Sequence, residues 1–442
     1  MINKINTLTI VGGGTSGWLT AAFISRNIPE IKITLIDKEE TTPVGVGEGT
    51  LTNFELFLHH CGFTIFDWVE KIDATPKSGI LFPGWKTKDK EIWHPFDLEK
   101  SSYNEWSQNQ QLDFRNTCLG DSKHFDLKAW HVDCGKLVKY IEDKIKDKIT
   151  IIKSDVVNIV KDSREHIKEL VLKNEQTIQS DLFVDCTGFK GLLRNKPDRK
   201  TLEHRLICDT AIAAHISYKD KEKELNPYVI SEAVDCGWIW NIPVQTRIGS
   251  GIVFNRSITK IEDAKKTLIE YWDNRINEDQ TKIIDWTPYY NTNQWHENVV
   301  EIGLSAGFIE PLESTGVALI MEGIIQLTKR INPKYYSSED IDIYNNTMKK
   351  VFETSIDFVN MHYVDNQREE PFWKEVQKTI TKSDTQKFYE SVLLDENRDI
   401  HSIAWNKYQD INFFTGMNWM CWLIQLGYPV KPRKKNDFDL TK

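Results

Sequence analysis

The first residues whose types and spacing could do chemistry are Gly12-Gly13-Gly14-Thr15-Ser16-Gly17, a GxGxxG run, with Asp37 twenty positions beyond Gly17. In such a run one glycine makes the tight turn, one lets backbone approach a pyrophosphate, and one lets helix and strand pack closely. Phosphates would rest on unpaired N–H groups at the helix start, where the macrodipole favours an anion. Asp37 stands where an acid can reach the ribose hydroxyls. The elements that must position these groups are all legible. An apolar strand from Leu8 to Val11 enters the turn, Trp18 to Ile28 follows in helical spacing, and a second strand runs from Ile33 to Ile36. A bare GxGxxG also fits an empty βα turn, but the flanking elements and the acid together point to dinucleotide binding.

Two further stretches join the same crevice. Pro43-Val44-Gly45-Val46-Gly47-Glu48-Gly49-Thr50 is a second glycine-rich loop just beyond the second strand, and loops leaving one edge of a parallel sheet line one cleft. Asp181 to Gly188 is a buried strand running into Asp185-Cys186-Thr187-Gly188. A late strand ending in Asp-x-Thr-Gly is used beside the cofactor by two-dinucleotide-binding-domain flavoproteins, which favours FAD over NAD.

Composition limits the remaining choices. The chain has 442 residues, and Lys+Arg 56 against Asp+Glu 65 gives a net charge of −9, which argues against a nucleic-acid surface. The basic cluster from Lys431 to Lys435 reads as a solvated tail. Seven cysteines are odd in number and scattered, with no CxxC and no zinc spacing, so no metal site is expected and the thiols read as reduced. With strand residues from position 7 and no apolar run near ~18 residues, neither a secretory signal nor a membrane span is expected, and a soluble cytoplasmic protein is.

Along the chain, Leu51 to Val69 reads as helical and Ile80 to Phe82 as a strand. Residues 86 to 130 carry Trp93, His94, Phe96, Tyr103, Trp106, Phe114, His124 and Trp130 without a clean period, as an inserted module or lid would. Leu137, Ile141 and Ile145 recur at i+4 on a helix that Asp133 could cap. Ile149 to Ile152, Val156 to Val160 and Ile167 to Leu172 read as a β meander. Ala211 to Ile216, Trp238 to Pro243 and Gly249 to Phe254 read as strands of a larger sheet. Helices are expected over Ile261 to Arg275 and Val317 to Ile331, and the tail from 334 is helical and aromatic-rich, including Trp405, Trp419 and Trp422.

Four stretches in this order resemble the flavin-dependent halogenases of the tryptophan halogenase family. They are Gly12 to Trp18, Gly45-Val46-Gly47-Glu48, the Trp-x-Trp-x-Ile-Pro run from Trp238 to Pro243, and Phe308-Ile309-Glu310-Pro311-Leu312-Glu313-Ser314-Thr315-Gly316. The resemblance runs from the start to about Lys374. It implies an α/β fold: an FAD-binding Rossmann-like module of the two-dinucleotide-binding-domain, hydroxylase type, with a mixed sheet and a mostly helical substrate module. The whole of 1–442 would be one unit, with the FAD module near 1–75 plus 131–332 and the substrate module near 76–130 plus 333–442.

The resemblance also implies the chemistry. FADH2 comes from a separate flavin reductase, oxygen and halide yield hypohalous acid, and the oxidant crosses an internal tunnel to a lysine. That lysine matches Lys77, and the family's catalytic glutamate matches Glu313. An unprotonated amine attacks electrophilic halogen, and a charged one holds the acid by donation. Thr315 and Gly316 match the backbone halide site. The cofactor set is Gly12, Gly13, Gly14, Thr15, Ser16, Gly17, Asp37, Gly47, Glu48, Gly49, Val156, Asp185, Leu304 and Val317. Trp238, Trp240, Ile242, Pro243 and Ser314 belong to the signature and tunnel, the two indoles sharing one strand face and keeping substrate from the flavin.

His94 and Phe96 match the His-x-Phe that sandwiches an indole, so an aromatic substrate is expected. The C-terminal part is shorter than in tryptophan-specific members, which favours an open site for indoles, phenols or a larger natural product. Chloride, bromide and iodide are not distinguished, and a homo-oligomer is a family expectation only. The competing readings are a flavin-dependent aromatic hydroxylase and a non-catalytic protein on a flavoprotein fold.

Overall fold

The computed structural model describes residues 2–38, 47–96, 111–119, 129–195, 197–395 and 413–431. Gly45, Val46, Tyr103, Trp106, His124, Trp405 and the basic run beyond Lys431 lie outside these residues. The strand Thr7–Val11 lies inside a six-stranded sheet. The order is Trp295–His296, Val299–Glu301, Leu182–Asp185, Thr7–Val11, Lys32–Asp37 and Thr150–Lys153. All neighbours are parallel except the first pair. The near-continuous apolar runs of its central strands are what a parallel sheet covered on both faces requires.

Three turns leave one edge of this sheet, tied by backbone bonds between strand ends. Gly12 N donates to Ile36 O at 2.8 Å, Cys186 N to Val11 O at 2.8 Å, and Ile302 N to Asp185 O at 3.0 Å. That edge is the carboxyl end of parallel strands, where open α/β sheets form their ligand crevice. The helix Thr15–Asn27 follows the first turn, and Cys134–Ile145 packs beside it, capped by Asp133, whose carboxylate accepts from Lys136 N at 3.0 Å.

A second sheet has seven strands, ordered Lys282–Asp285, Thr210–Ile216, Ile248–Phe254, Gly237–Pro243, Tyr228–Val234, Gly79–Pro83 and Glu91–Pro95. Strand alternation sorts its residues. Trp238, Trp240 and Ile242 enter the main core, whereas Ile239 packs on the opposite face with Ala264 and Leu268 of the helix Ile261–Tyr271. A three-stranded sheet of Glu48–Gly49, Ala129–Val132 and Thr75–Lys77 carries Lys77 opposite Ala129. The helices Thr315–Ile331 and Ser338–Tyr363 pack on each other, and Gly416–Gln425 packs against Glu91–Pro95. The main apolar cluster takes in residues from Ile5 to Leu426.

Several expected elements differ. The single helix over Leu51 to Val69 is two, Phe54–His60 and Ile65–Trp68, because Gly62 turns left-handed (φ +84°) and ends the first. Thr150–Lys153 pairs in parallel with Lys32–Asp37 and belongs to the six-stranded sheet, so the meander consists of Val156–Lys161, Ile167–Leu172 and Thr177–Ile178. The helix from Ile261 ends at Tyr271, with Asp273 and Asn274 both at positive φ.

Candidate active site

At the sheet edge, the glycines of the first turn are required by contact. A Cβ on Gly12 (φ +112°) would lie 2.3 Å from Cys186 O, and one on Gly17 would lie 1.9 Å from Gly12 O. On Gly13 it would fall 2.1 Å from the Asp37 carboxyl carbon. Gly14, in contrast, faces open space, and the helix it precedes has neither a side-chain cap nor an acid in its first turn. Its free amides and positive end therefore fit a pyrophosphate.

The other crevice residues brace these turns. Asp37 accepts from Gly13 N at 3.1 Å, Lys38 N at 2.9 Å and Lys153 Nζ at 2.7 Å, so its carboxylate holds the turn in place. Asp185 accepts from Thr187 N at 2.9 Å, Thr187 Oγ1 at 2.7 Å and Leu193 N at 2.7 Å; burial raises its carboxyl against those bonds. Leu304 sits in the turn Gly303–Ser305, where Ser305 Oγ donates to Asp185 O at 2.6 Å. Gly303 lies so close that a Cβ there would meet Ser16 Cβ at 2.9 Å. Glu48 has its carboxyl raised by burial, with Cys134 as hydrogen-bond partner, and Gly47 approaches Ile242. Val317 is buried in the helix Thr315–Ile331, and Val156 opens the meander against the cluster of Val11 and Ile36.

Lys77 is fully buried. Its Nζ donates to Ser314 Oγ at 2.7 Å and to Thr50 O at 3.1 Å, and lies 4.7 Å from the centroid of the Phe96 ring. Burial drives the ammonium down to about 7, against the pull of Glu313. Gly49, which the resemblance groups with the flavin residues, also adjoins this amine.

Glu313 ends the short turn Pro311–Glu313 and is also fully buried. His94 Nδ1 lies 3.0 and 3.1 Å from its two oxygens, and His362 Nε2 lies 2.6 Å from Oε1. Burial works to raise this carboxyl, and its contacts with the His94 and His362 imidazoles oppose that and lower it. His94 thus presents a ring edge to Glu313, and its ring is 6.1 Å from Phe96.

Ser314 then turns left-handed (φ 60°) and the helix begins at Thr315. Ser314 Oγ makes no capping bond because it serves Lys77, and the helix's first turn holds no acid. Thr315 Oγ1 is buried without a partner among the described residues, and a Cβ on Gly316 would meet nothing within 4 Å. Unpaired amides, an unused hydroxyl and open space make a place where a desolvated anion could be held.

Trp238 and Trp240 share a face, 6.4 Å apart between ring centroids. Trp240 lies so tightly over Gly251 that a Cβ there would be 2.1 Å from its ring. Trp238 Nε1 donates to Tyr363 Oη at 3.0 Å, and Tyr363 in turn donates to Glu310, whose carboxyl burial pushes up to about 7. Pro243 O accepts from Thr75 Oγ1 at 2.6 Å, which ties the end of the signature strand to the strand carrying Lys77.

The residues the sequence reading missed are His362, Tyr363 and Asn418. The first two are consecutive on the helix Ser338–Tyr363 and reach the two carboxylates of one turn. The only local hint was a polar pair, His362-Tyr363, closing an apolar helix face. Among the described residues there is no metal-binding cluster and no helix long and apolar enough to cross a membrane, and all seven cysteines are free.

Fold and site together define an α/β flavoprotein with a dinucleotide crevice at a parallel sheet edge and a buried amine beside a buried carboxylate. The tryptophan halogenase family model matches residues 7–438, and the chain belongs to that family of flavin-dependent halogenases. Its cofactor is FAD, used as FADH2 with a halide. It is 28% identical over 422 residues to the tryptophan 6-halogenase ThaL of Streptomyces albogriseolus, covering 85% of this chain and 79% of that protein. With the tryptophan 7-halogenase RebH of Lentzea aerocolonigenes it shares 26% identity over 421 residues, covering 85% and 79%. The crystal structure of the tryptophan 6-halogenase SttH from Streptomyces toxytricini superposes with a TM-score of 0.87 at 26% identity, covering 97% of this chain and 92% of that one.

Proposed function

We propose that this chain halogenates an electron-rich aromatic ring, an indole, a phenol or a larger natural product, by delivering hypohalous acid to Lys77. The observation that carries the reading is a fully buried lysine held at about 7, bonded to Ser314 and Thr50 and within electrostatic reach of Glu313. Bound reduced FAD supplies, with oxygen, the oxidation of halide to hypohalous acid. The amides of Gly14 to Ser16 bind the pyrophosphate, and those of Thr15 and Ser16 open the helix that faces it. Thr315 and Gly316 hold the halide through backbone N–H groups, with Thr315 Oγ1 as a further donor.

Trp238 and Trp240 wall the substrate from the flavin, and Ile242, Pro243 and Ser314 continue that wall towards Lys77. Near its midpoint Lys77 can bind the oxidant by donation or take the halogen as a haloamine. Glu313 receives the ring proton. His94 and Phe96 face the aromatic substrate. A flavin reductase supplies FADH2, and the enzyme works in the cytoplasm, where its seven thiols stay reduced.

Incubation with FAD, a flavin reductase, NADH and each halide against a panel of indoles and phenols, read by mass spectrometry, tests this. A product carrying the mass and isotope pattern of the supplied halogen is expected. A product gaining only oxygen, whatever halide is present, would make the enzyme a hydroxylase.

A further inference from the structure

The hydrogen-bond partners behind Glu313 fix how many protons its two histidines carry. Asn418 Oδ1 accepts from Thr415 N at 2.7 Å and from Thr415 Oγ1 at 3.0 Å, which sets its amide orientation and turns Nδ2 towards His94 Nε2, 2.9 Å away. An amide NH2 only donates. His94 therefore accepts at Nε2, carries its proton on Nδ1 and donates to Glu313 as a neutral imidazole.

His362 is different. Its Nδ1 lies 2.8 Å from Phe358 O, a carbonyl that only accepts, so Nδ1 bears a proton. Its Nε2 lies 2.6 Å from Glu313 Oε1. Two bare acceptors do not sit at that distance in a dry interior. One proton must lie between them, on the imidazole or on the carboxyl. Rings of Phe82, Trp85, Phe358 and Trp422 surround His362 at centroid distances of 5.1, 6.1, 5.2 and 3.9 Å and exclude water as an alternative donor; this burial lowers His362, and its bond to Glu313 opposes the shift, so neither partner keeps the proton to itself. The other titratable groups facing the pair are His94, Lys77 from Thr75–Lys77 and the Cys421 thiol from Gly416–Gln425.

We propose that Glu313 and His362 hold one proton jointly, so that the acid–base group of this site is the pair, with His362 as the residue that positions and protonates Glu313. This rests on the reading of Glu313 as the group that exchanges protons with the substrate. The proton balance of the reaction suits it. As the carbon–halogen bond forms and the oxygen–halogen bond of hypohalous acid breaks, the departing hydroxide takes a proton from the pair and leaves as water. The ring carbon then releases its hydrogen as a proton, which returns to the pair. Aromatic and hypohalous acid become haloarene and water, and the pair ends as it began.

The direct test is nitrogen NMR of the full-length protein with 15N-labelled histidine, His362→Gln identifying the His362 signals. Both His362 nitrogens should report N–H across about pH 6 to 8, with the Nε2 proton far downfield, while His94 shows a single N–H. Glu313→Gln, whose amide cannot share a proton, should abolish the downfield signal. His362 with one N–H in the wild type, unchanged by Glu313→Gln, would overturn the proposal. Halogenation should fall about 100-fold in both His362→Gln and His362→Phe. If Phe, which keeps the packing, retained activity within twofold, His362 would be structural and the proposal wrong. The NMR readout needs no turnover, so a shared proton in a protein that fails to halogenate would sink the proposed function and leave the pair standing.

Discussion

A Cβ on Gly49 would stand 2.8 Å from Lys77 Nζ and 2.5 Å from Ser314 Oγ, so the missing side chain at Gly49 is what lets the buried amine take its place. Gly49 is held there by pairing with His131 across the small three-stranded sheet. Gly49→Ala should therefore push Lys77 off Ser314 and lower halogenation by about 100-fold, the effect of roughly 1 Å of misplacement. FAD affinity should stay within twofold, as a flavin titration would show. A variant that instead loses flavin and keeps its specific activity would show that Gly49 serves the cofactor and not the amine.

Lys77 gives the protein a definite pH dependence. The unfolded chain holds its proton up to about 10.5 and the folded chain only up to about 7, so between those values the unfolded state binds one more proton. Stability must then rise with pH across that window. Lys77→Met removes the buried charge. It should be more stable than wild type at pH 6 by on the order of 4 to 5 kcal/mol, at about 1.4 kcal/mol per pKa unit. The gap should close towards pH 10. Urea unfolding of both proteins at pH 6 and pH 9 measures it, and parallel curves would show that Lys77 keeps an ordinary pKa.

Thr315 separates a binding role from a packing one. Its Oγ1 has no partner among the described residues, so Thr315→Val removes an unpaired buried hydroxyl and should leave Tm unchanged or higher. If that hydroxyl donates to halide, the halide KM should rise about tenfold, one hydrogen bond's worth. An unchanged KM would confine halide binding to the backbone amides.

How much of this was legible in the sequence depends on how local the signal is. The Gly12 to Gly17 turn and Asp37 could be read because strand, turn, helix and acid lie within one short stretch. Trp238 and Trp240 could be put on one face because alternation is a property of the strand itself. Thr150–Lys153 looked like part of a meander because local β character does not say which sheet a strand joins; that is set by its parallel register with Lys32–Asp37. His362 stayed hidden for a related reason. It is separated from Glu313 by forty-nine positions, and helical spacing reports the buried face without naming what lies across it. Lys77 carried no signal of its own and was visible only through the resemblance.

Tyr363 links the signature strand to the turn that carries Glu313. It accepts from Trp238 Nε1 at 3.0 Å and donates to Glu310, which gives the indole a fixed direction. Tyr363→Phe breaks both bonds while keeping the ring. It should let Trp238 turn, so that more reduced flavin is consumed per halogenated product, by about threefold or more. Counting NADH oxidised against product formed checks this, and unchanged coupling would show that packing alone holds Trp238.

The most direct test of the central claim, that the oxidant made at the flavin must reach Lys77, is Lys77→Ala assayed with a small hypohalous-acid trap in solution alongside the aromatic substrate. The variant should still bind FAD, consume reduced flavin and halogenate the trap, while its aromatic product falls at least 100-fold. Wild-type yields of halogenated aromatic from Lys77→Ala would contradict the account.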